Sequence, residues 1–351
     1  MLSILKTKRV FVSLLLVTFI ITIILMFCLQ YLRSSDKSEI TSQLTYDDSR
    51  LKAQYDTDSP NTGKNDSDID LSAKRWDRIE HLQQVCKNYK KNLSEEVRRK
   101  PKLLNHILVN DEHKLLYCYI PKVACTNLKR IFLILSGKMN TTNLLDLQSN
   151  DVHHQYNKYL TYLSDFSFDE AMLRLKNYKK VVYVREPFER ILSAYVNKFE
   201  GKNTGNDYFK LTYGKKIIKY FRDEPYNEDL KTGEGVQFSE FVQFLNDPLM
   251  QINGYNEHWA HFHTLCLPCY INYDFIGKYE TLEEDVNYWL HTSNLSHIIN
   301  FPKRSATYRK SKTVDLLLKY YKSVPKRYLH ELLDTYHLDY KLFGYPYPSF
   351  I

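Results

Sequence analysis

Leu115 to Gly137 reads LLYCYIPKVACTNLKRIFLILSG, and its two halves have different periods. Leu115 to Ile120 is apolar and aromatic with strong β character, whereas Asn127 to Leu135 places Leu128, Ile131, Phe132 and Leu135 at helical spacing. Between them lies Pro-Lys-Val-Ala-Cys-Thr. A strand turning through small residues into a helix aims backbone N–H groups and the positive helix end at one point, and Lys122 adds a full charge. The stretch is an anion cradle. It is not a Walker loop, because the G-x-x-x-x-G-K-[ST] spacing is missing and no hydroxyl follows the lysine, so a magnesium nucleoside triphosphate is disfavoured.

A second unit repeats the pattern. Val181 to Val184 is a short β run apolar enough for a buried parallel strand, followed by the charged turn Arg185-Glu-Pro-Phe-Glu-Arg190 and a helix through Phe199. Two strand–turn–helix units predict an α/β fold with a central parallel sheet flanked by helices and ligands at the carboxyl ends of its strands. Arg185 at a strand end and Ser193 two turns down the next helix can bind a second phosphate. Two neighbouring anion sites suit a nucleotide phosphorylated at both 5′ and 3′ positions.

The remaining elements read more coarsely. Trp76 to Arg99 has a helical pattern with Trp76, Ile79, Leu82 and Val85 on one face, and Leu103 to Val109 leads into the central strand. Met172 to Lys180 and Val236 to Leu245 read as helices, Tyr273 to Lys278 as a strand. Glu280 to Leu290 reads as a helix with Thr281 and Glu284 as a capping box, and Val314 to Tyr340 as mostly amphipathic helix.

The chain has 351 residues, 43% hydrophobic, with Lys+Arg 49 against Asp+Glu 41 and a formal charge of +8, which suits an anionic ligand. Val10 to Leu32 is an almost uninterrupted apolar run preceded by Lys6, Lys8 and Arg9. Its length and basic flank predict an uncleaved signal anchor at 10–32, with residues 1–9 cytosolic and the rest lumenal. A lumenal address argues against nucleic acid as the partner. Residues 33–74, rich in Ser, Asp, Thr and Asn, read as a flexible stem, and 75–351 as the folded body. Sequons at Asn65, Asn92, Asn140 and Asn294 agree with that address. Of six cysteines, Cys28 lies in the apolar run. Cys266-Leu-Pro-Cys269 finds no second pair at zinc-ligand spacing, so a disulfide or structural role is expected.

Taken together these segments bring a family into view. YCYIPKVACTNLKR (117–130) closely resembles the 5′-phosphosulfate loop of the Golgi carbohydrate sulfotransferases of the chondroitin and dermatan 4-O and HNK-1 group. YVREPFERILSAYVNKF (183–199) resembles their 3′-phosphate motif, and the likeness continues in Asn256-Glu-His-Trp259, in LCLPC (265–269) and in YDFIGKYETLEED (273–285). Leu128 departs from the tryptophan usual there. The resemblance implies a P-loop-like sulfotransferase fold and sulfuryl transfer from 3′-phosphoadenosine 5′-phosphosulfate to a sugar hydroxyl, with no metal. It implies that Lys122, Val123, Ala124, Cys125, Thr126 and Asn127 hold the 5′ side, and Arg185 and Ser193 the 3′-phosphate. Lys122 would also stabilise the leaving oxygen.

A sugar hydroxyl needs a base of matched pKa, for which histidine is the default. The candidates are His153, His154, His258, His261 and His263; the match around Asn150-Asp-Val-His153 favours His153, with His258 next. The basic run Lys303 to Lys310 is expected either to cover the nucleotide, to contact an anionic polysaccharide or to be a solvated loop. The match to chondroitin 4-O-sulfotransferases is the strongest. Acceptor choice lies in the variable loops 201–211 and 226–235, which leave HNK-1 glucuronate or N-glycan galactosamine as alternatives.

Overall fold

The computed structural model describes residues 67–89, 93–200, 207–303 and 310–351. The expected anchor, most of the stem, Asn65, Asn92 and 304–309 of the basic run lie outside the described residues. Among the described residues, no helix is long and apolar enough to cross a membrane.

The chain runs α1 (Ser67–Cys86), α2 (Leu93–Arg99), β1 (Ile107–Asn110), β2 (Leu115–Cys118), α3 (Cys125–Leu135), α4 (Ser149–His153) and β3 (Thr161–Tyr162). It continues through α5 (Phe168–Asn177), β4 (Lys179–Val184), α6 (Pro187–Tyr195), α7 (Phe238–Asn246), β5 (Phe275–Lys278), α8 (Leu282–Thr292), α9 (Lys310–Tyr321) and α10 (Lys326–Phe343), with shorter helical turns between. The sheet order is β3-β1-β2-β4-β5.

The sheet is mixed, which corrects the expectation of a parallel one. β2, β4 and β5 are parallel, but β1 is antiparallel to both β2 and β3. The reason is local: β1 and β2 are joined by Asp111 to Lys114 alone, with Lys114 at φ +51°, and so short a link can only return the chain as a hairpin. Asn110 fixes that turn, accepting from the His113 N–H at 2.8 Å and donating to the Leu135 carbonyl at 3.0 Å. The parallel half places the ends of β2, β4 and β5 side by side.

The helix expected over 76–99 ends at Cys86. Trp76 is 65% exposed, because α1 turns Arg75 and Arg78 inward to the fully buried Asp285, leaving Leu82 and Cys86 to fill the core. Thr281 precedes α8, but its hydroxyl donates to Asp285 Oδ2 at 2.7 Å and the capping box does not form.

The core has two parts. One wraps the sheet, and Tyr183 of β4 lies so close over Gly277 of β5 that a Cβ there would meet its ring at 2.1 Å. The other is helical and aromatic, built around Phe188, Trp259, Tyr321 and Tyr336. Disulfides Cys86–Cys269 and Cys118–Cys266 tie α1 and the end of β2 to the LCLPC segment, which gives Cys266 and Cys269 the disulfide role expected of them. Cys125 is free.

Candidate active site

The turn after β2 departs from ordinary backbone at two positions that flank Val123: Lys122 at φ +71° and Ala124 at φ +53°, each in the left-handed region that side-chain-bearing residues avoid. Alternation of this kind curls successive N–H groups toward one concavity. Val123 N–H is spent on the Ile120 carbonyl and Asn127 N–H on the Ala124 carbonyl. The N–H groups of Ala124, Cys125 and Thr126 have no acceptor among the described residues. Of the five amides expected at the 5′ side, these three are open to a ligand; Asn127 also lends its side chain to Arg130 at 2.5 Å.

Arg185 comes off the end of β4 and reaches the same turn. Its Nη1 donates to the Lys122 carbonyl at 3.3 Å, its Nε and Nη2 to Glu189 at 3.3 and 3.2 Å, and its guanidinium lies 4.2 Å over the Tyr279 ring at the end of β5. Each terminal nitrogen keeps a further N–H for a ligand. Arg185 pairs with Glu189, and Ser193 lies a further four residues along the same face of α6; Ser193 is half-buried and its hydroxyl has no partner among the described residues. The two anion sites inferred from separate motifs therefore meet.

Arg190, not singled out from sequence, holds the arrangement. It is 1% exposed and donates to the carbonyls of Pro121 at 3.0 Å, Ala260 at 2.6 Å and Glu257 at 2.8 Å, clamping the Lys122 turn to the 256–260 segment. Its partners are neutral carbonyls, so its charge adds to the positive field of the site. Lys198, just beyond α6 and also missed, supplies a further cation and stands 4.1 Å over Phe209. The ammonium of Lys122 is pushed down to about 8 by burial and by Lys198, Arg185 and Arg190.

The two favoured histidines both reach the cradle. His153, at the end of α4, shares a 2.9 Å hydrogen bond between Nε2 and Thr126 Oγ1. Burial, then Lys129, His154 and Lys198, push its imidazole down to about 4. The residue keeps an exposed face toward solvent. His258 is depressed further, to about 2, by burial and by Lys198, Lys122 and Arg190. Asn256 Oδ1 accepts both the His258 N–H at 3.1 Å and ring Nδ1 at 2.7 Å, which leaves the Nε2 lone pair bare. His261 and His263 are engaged by α10 instead, through the Thr335 carbonyl and Asp339.

The assembled site is a half-buried cationic cluster with two imidazoles whose protonated forms are disfavoured. It can stabilise charge on transferred oxyanions and take a proton from a hydroxyl. Among the described residues no cluster of His, Cys, Asp and Glu could hold a metal ion.

Comparison with known proteins agrees. The model of the sulfotransferase family matches residues 105–346. Carbohydrate sulfotransferase 11 of Rattus norvegicus is 41% identical over 254 residues, 72% of this chain and 70% of that protein. Carbohydrate sulfotransferase 14 of Danio rerio is 43% identical over 248 residues, 70% and 64% of the two chains. Carbohydrate sulfotransferase 8 of Homo sapiens is 34% identical over 282 residues, 80% and 64%. No solved structure matches the chain. With the matched region enclosing the Lys122 and Arg185 turns and both histidines, the chain belongs to the sulfotransferase family and, within it, to the carbohydrate sulfotransferases.

Proposed function

We propose that the protein transfers a sulfuryl group from 3′-phosphoadenosine 5′-phosphosulfate to the 4-hydroxyl of N-acetylgalactosamine in chondroitin or dermatan, acting in the Golgi lumen from a single-pass type II anchor. One observation carries the donor assignment: Arg185 of the second turn bonds the Lys122 carbonyl of the first, so one bisphosphorylated nucleoside can touch both. The 4-hydroxyl is supported by the resemblance of the chain as a whole, which is strongest to the chondroitin 4-O-sulfotransferases. The lumenal address is supported by the apolar run at 10–32 and by the disulfides.

The open amides of Ala124, Cys125 and Thr126 bind the 5′-phosphate, and Arg185 and Ser193 bind the 3′-phosphate. Lys122 neutralises the oxygen released as the sulfur–oxygen bond breaks, while His153 takes the sugar hydroxyl proton as the new oxygen–sulfur bond forms. His153 is the stronger base of the two imidazoles, and His258 orients the acceptor through its bare Nε2.

A pH profile follows. The base must be neutral and the lysine charged. Lowered His153 means that kcat/KM for the donor stays level as pH falls through the ordinary histidine range of about 6.5, once the donor's own phosphate titration near about 6 is allowed for. Above about 8 it falls as Lys122 loses its proton. An acid limb at the ordinary histidine value would show that the His153 imidazole is not held down in the free enzyme. Labelled donor offered with desulfated chondroitin, dermatan and N-glycan acceptors tests the acceptor: label is expected at the 4-hydroxyl of galactosamine in the first two, and label confined to N-glycans would refute the assignment.

A further inference from the structure

Three groups hold the Arg185 turn. Tyr279 lies against the face of the guanidinium, Glu189 takes its Nε and Nη2, and the backbone N–H of the next residue, Glu186, donates to Glu280 Oε1 at 2.9 Å. Glu186 also caps α6, its Oε2 accepting the Glu189 N–H at 2.6 Å. Tyr279 and Glu280 are neighbours directly after β5, so ring and carboxylate reach the turn together from one strand end. Carboxyl groups beside a phosphate site repel the ligand, so their presence there calls for a compensating task.

Both Glu186 and Glu280 are anchored by tyrosines from one short segment. The Tyr340 hydroxyl donates to Glu186 Oε1, and the Tyr345 hydroxyl to Glu280 Oε2 at 3.0 Å. α10 ends at Phe343, Gly344 takes φ +59°, and the Tyr345 N–H returns to the Tyr340 carbonyl at 3.1 Å. That reversal lets two side chains five residues apart serve the ends of β4 and β5, which the parallel pairing sets side by side.

We infer that Glu280, held by Tyr345, and Glu186, held by Tyr340, are positioning residues that brace Arg185 before the nucleotide arrives, with Glu280 as the pivot. This rests on the reading of Arg185 as a ligand of the 3′-phosphate and adds what prepares it for that task. An unbraced arginine gives up the freedom of its long side chain on binding. A braced one has given it up in folding, so the difference appears as affinity for the 3′-phosphate. The four residues act through Arg185 and away from the reacting atoms.

Adenosine 3′,5′-bisphosphate and adenosine 5′-monophosphate are titrated into the full-length protein and into Glu280→Ala, Glu280→Gln and Tyr345→Phe, with donor KM and kcat measured alongside. Glutamine can still accept the Glu186 N–H through its carbonyl oxygen and donate to the Tyr345 hydroxyl through its amide. Glu280→Ala is expected to bind the bisphosphate about fivefold more weakly and to raise the donor KM by a similar factor at unchanged kcat, with monophosphate affinity held. Glu280→Gln should stay within about twofold of the parent, and Tyr345→Phe should fall between the two. Unchanged bisphosphate affinity in Glu280→Ala would overturn the inference, and so would weakening shared equally by both nucleotides, which marks a merely structural role. A parent protein that binds the two nucleotides equally would overturn the donor reading itself, and the inference with it.

Discussion

Lys122→Gly is expected to lower kcat by about 100- to 1,000-fold while leaving the unfolding free energy within about 1 kcal/mol of the parent. Lysine holds φ +71° at this position, a conformation that glycine adopts without steric cost, so removing the side chain also removes backbone strain. Strain kept at a turn that points its amides outward belongs to function rather than to folding. Lys122→Ala retains the strained backbone and should lose turnover to the same degree. Turnover with labelled donor and a denaturant titration measure the two effects independently; a stability loss that tracks the activity loss would make Lys122 a structural residue.

Asp285→Ala is expected to cost about 3–5 kcal/mol of stability, because it strands buried cations. The carboxylate is fully buried and accepts from Arg75 Nε at 3.0 Å, Arg78 Nη1 at 2.7 Å, the Lys278 N–H at 2.8 Å and Thr281 Oγ1 at 2.7 Å. It joins α1 to the end of β5 and the start of α8, and β5 carries Tyr279 against Arg185. The loss should therefore appear both in the denaturation midpoint and in weakened nucleotide binding. Urea unfolding of the oxidised protein checks it, and a change below about 1 kcal/mol would show that the arginines find other partners or water.

The contrast between these residues shows what the chain discloses on its face. The strand–turn–helix at 115–137 was legible because its period changes at a lysine, and the second unit because it repeats that pattern. Both predicted phosphate turns converge, since strand ends in a parallel sheet point one way, and the two favoured histidines reach them from the end of α4 and from the 256–260 segment. The antiparallel β1 was not legible: its pairing is decided by the four-residue link after Asn110, while periodicity registers only the strand itself. The inward face of α1 was misread for a related reason. Trp76 outweighs Arg75 in any hydrophobic pattern, yet Asp285, more than 200 residues away, decides which of them is buried. Arg190 escaped notice because its partners are carbonyls, and a carbonyl has no letter in a sequence.

The central claim is that the Lys122 and Arg185 turns hold the two ends of one bisphosphorylated nucleoside. Calorimetric titration of adenosine 3′,5′-bisphosphate and adenosine 5′-monophosphate into the parent protein and into Arg185→Ala tests it most directly. The parent should prefer the bisphosphate by about tenfold or more, the worth of a charge-assisted contact, and Arg185→Ala should erase that preference while still binding the monophosphate. A preference for the bisphosphate that survives the loss of Arg185 would contradict the account.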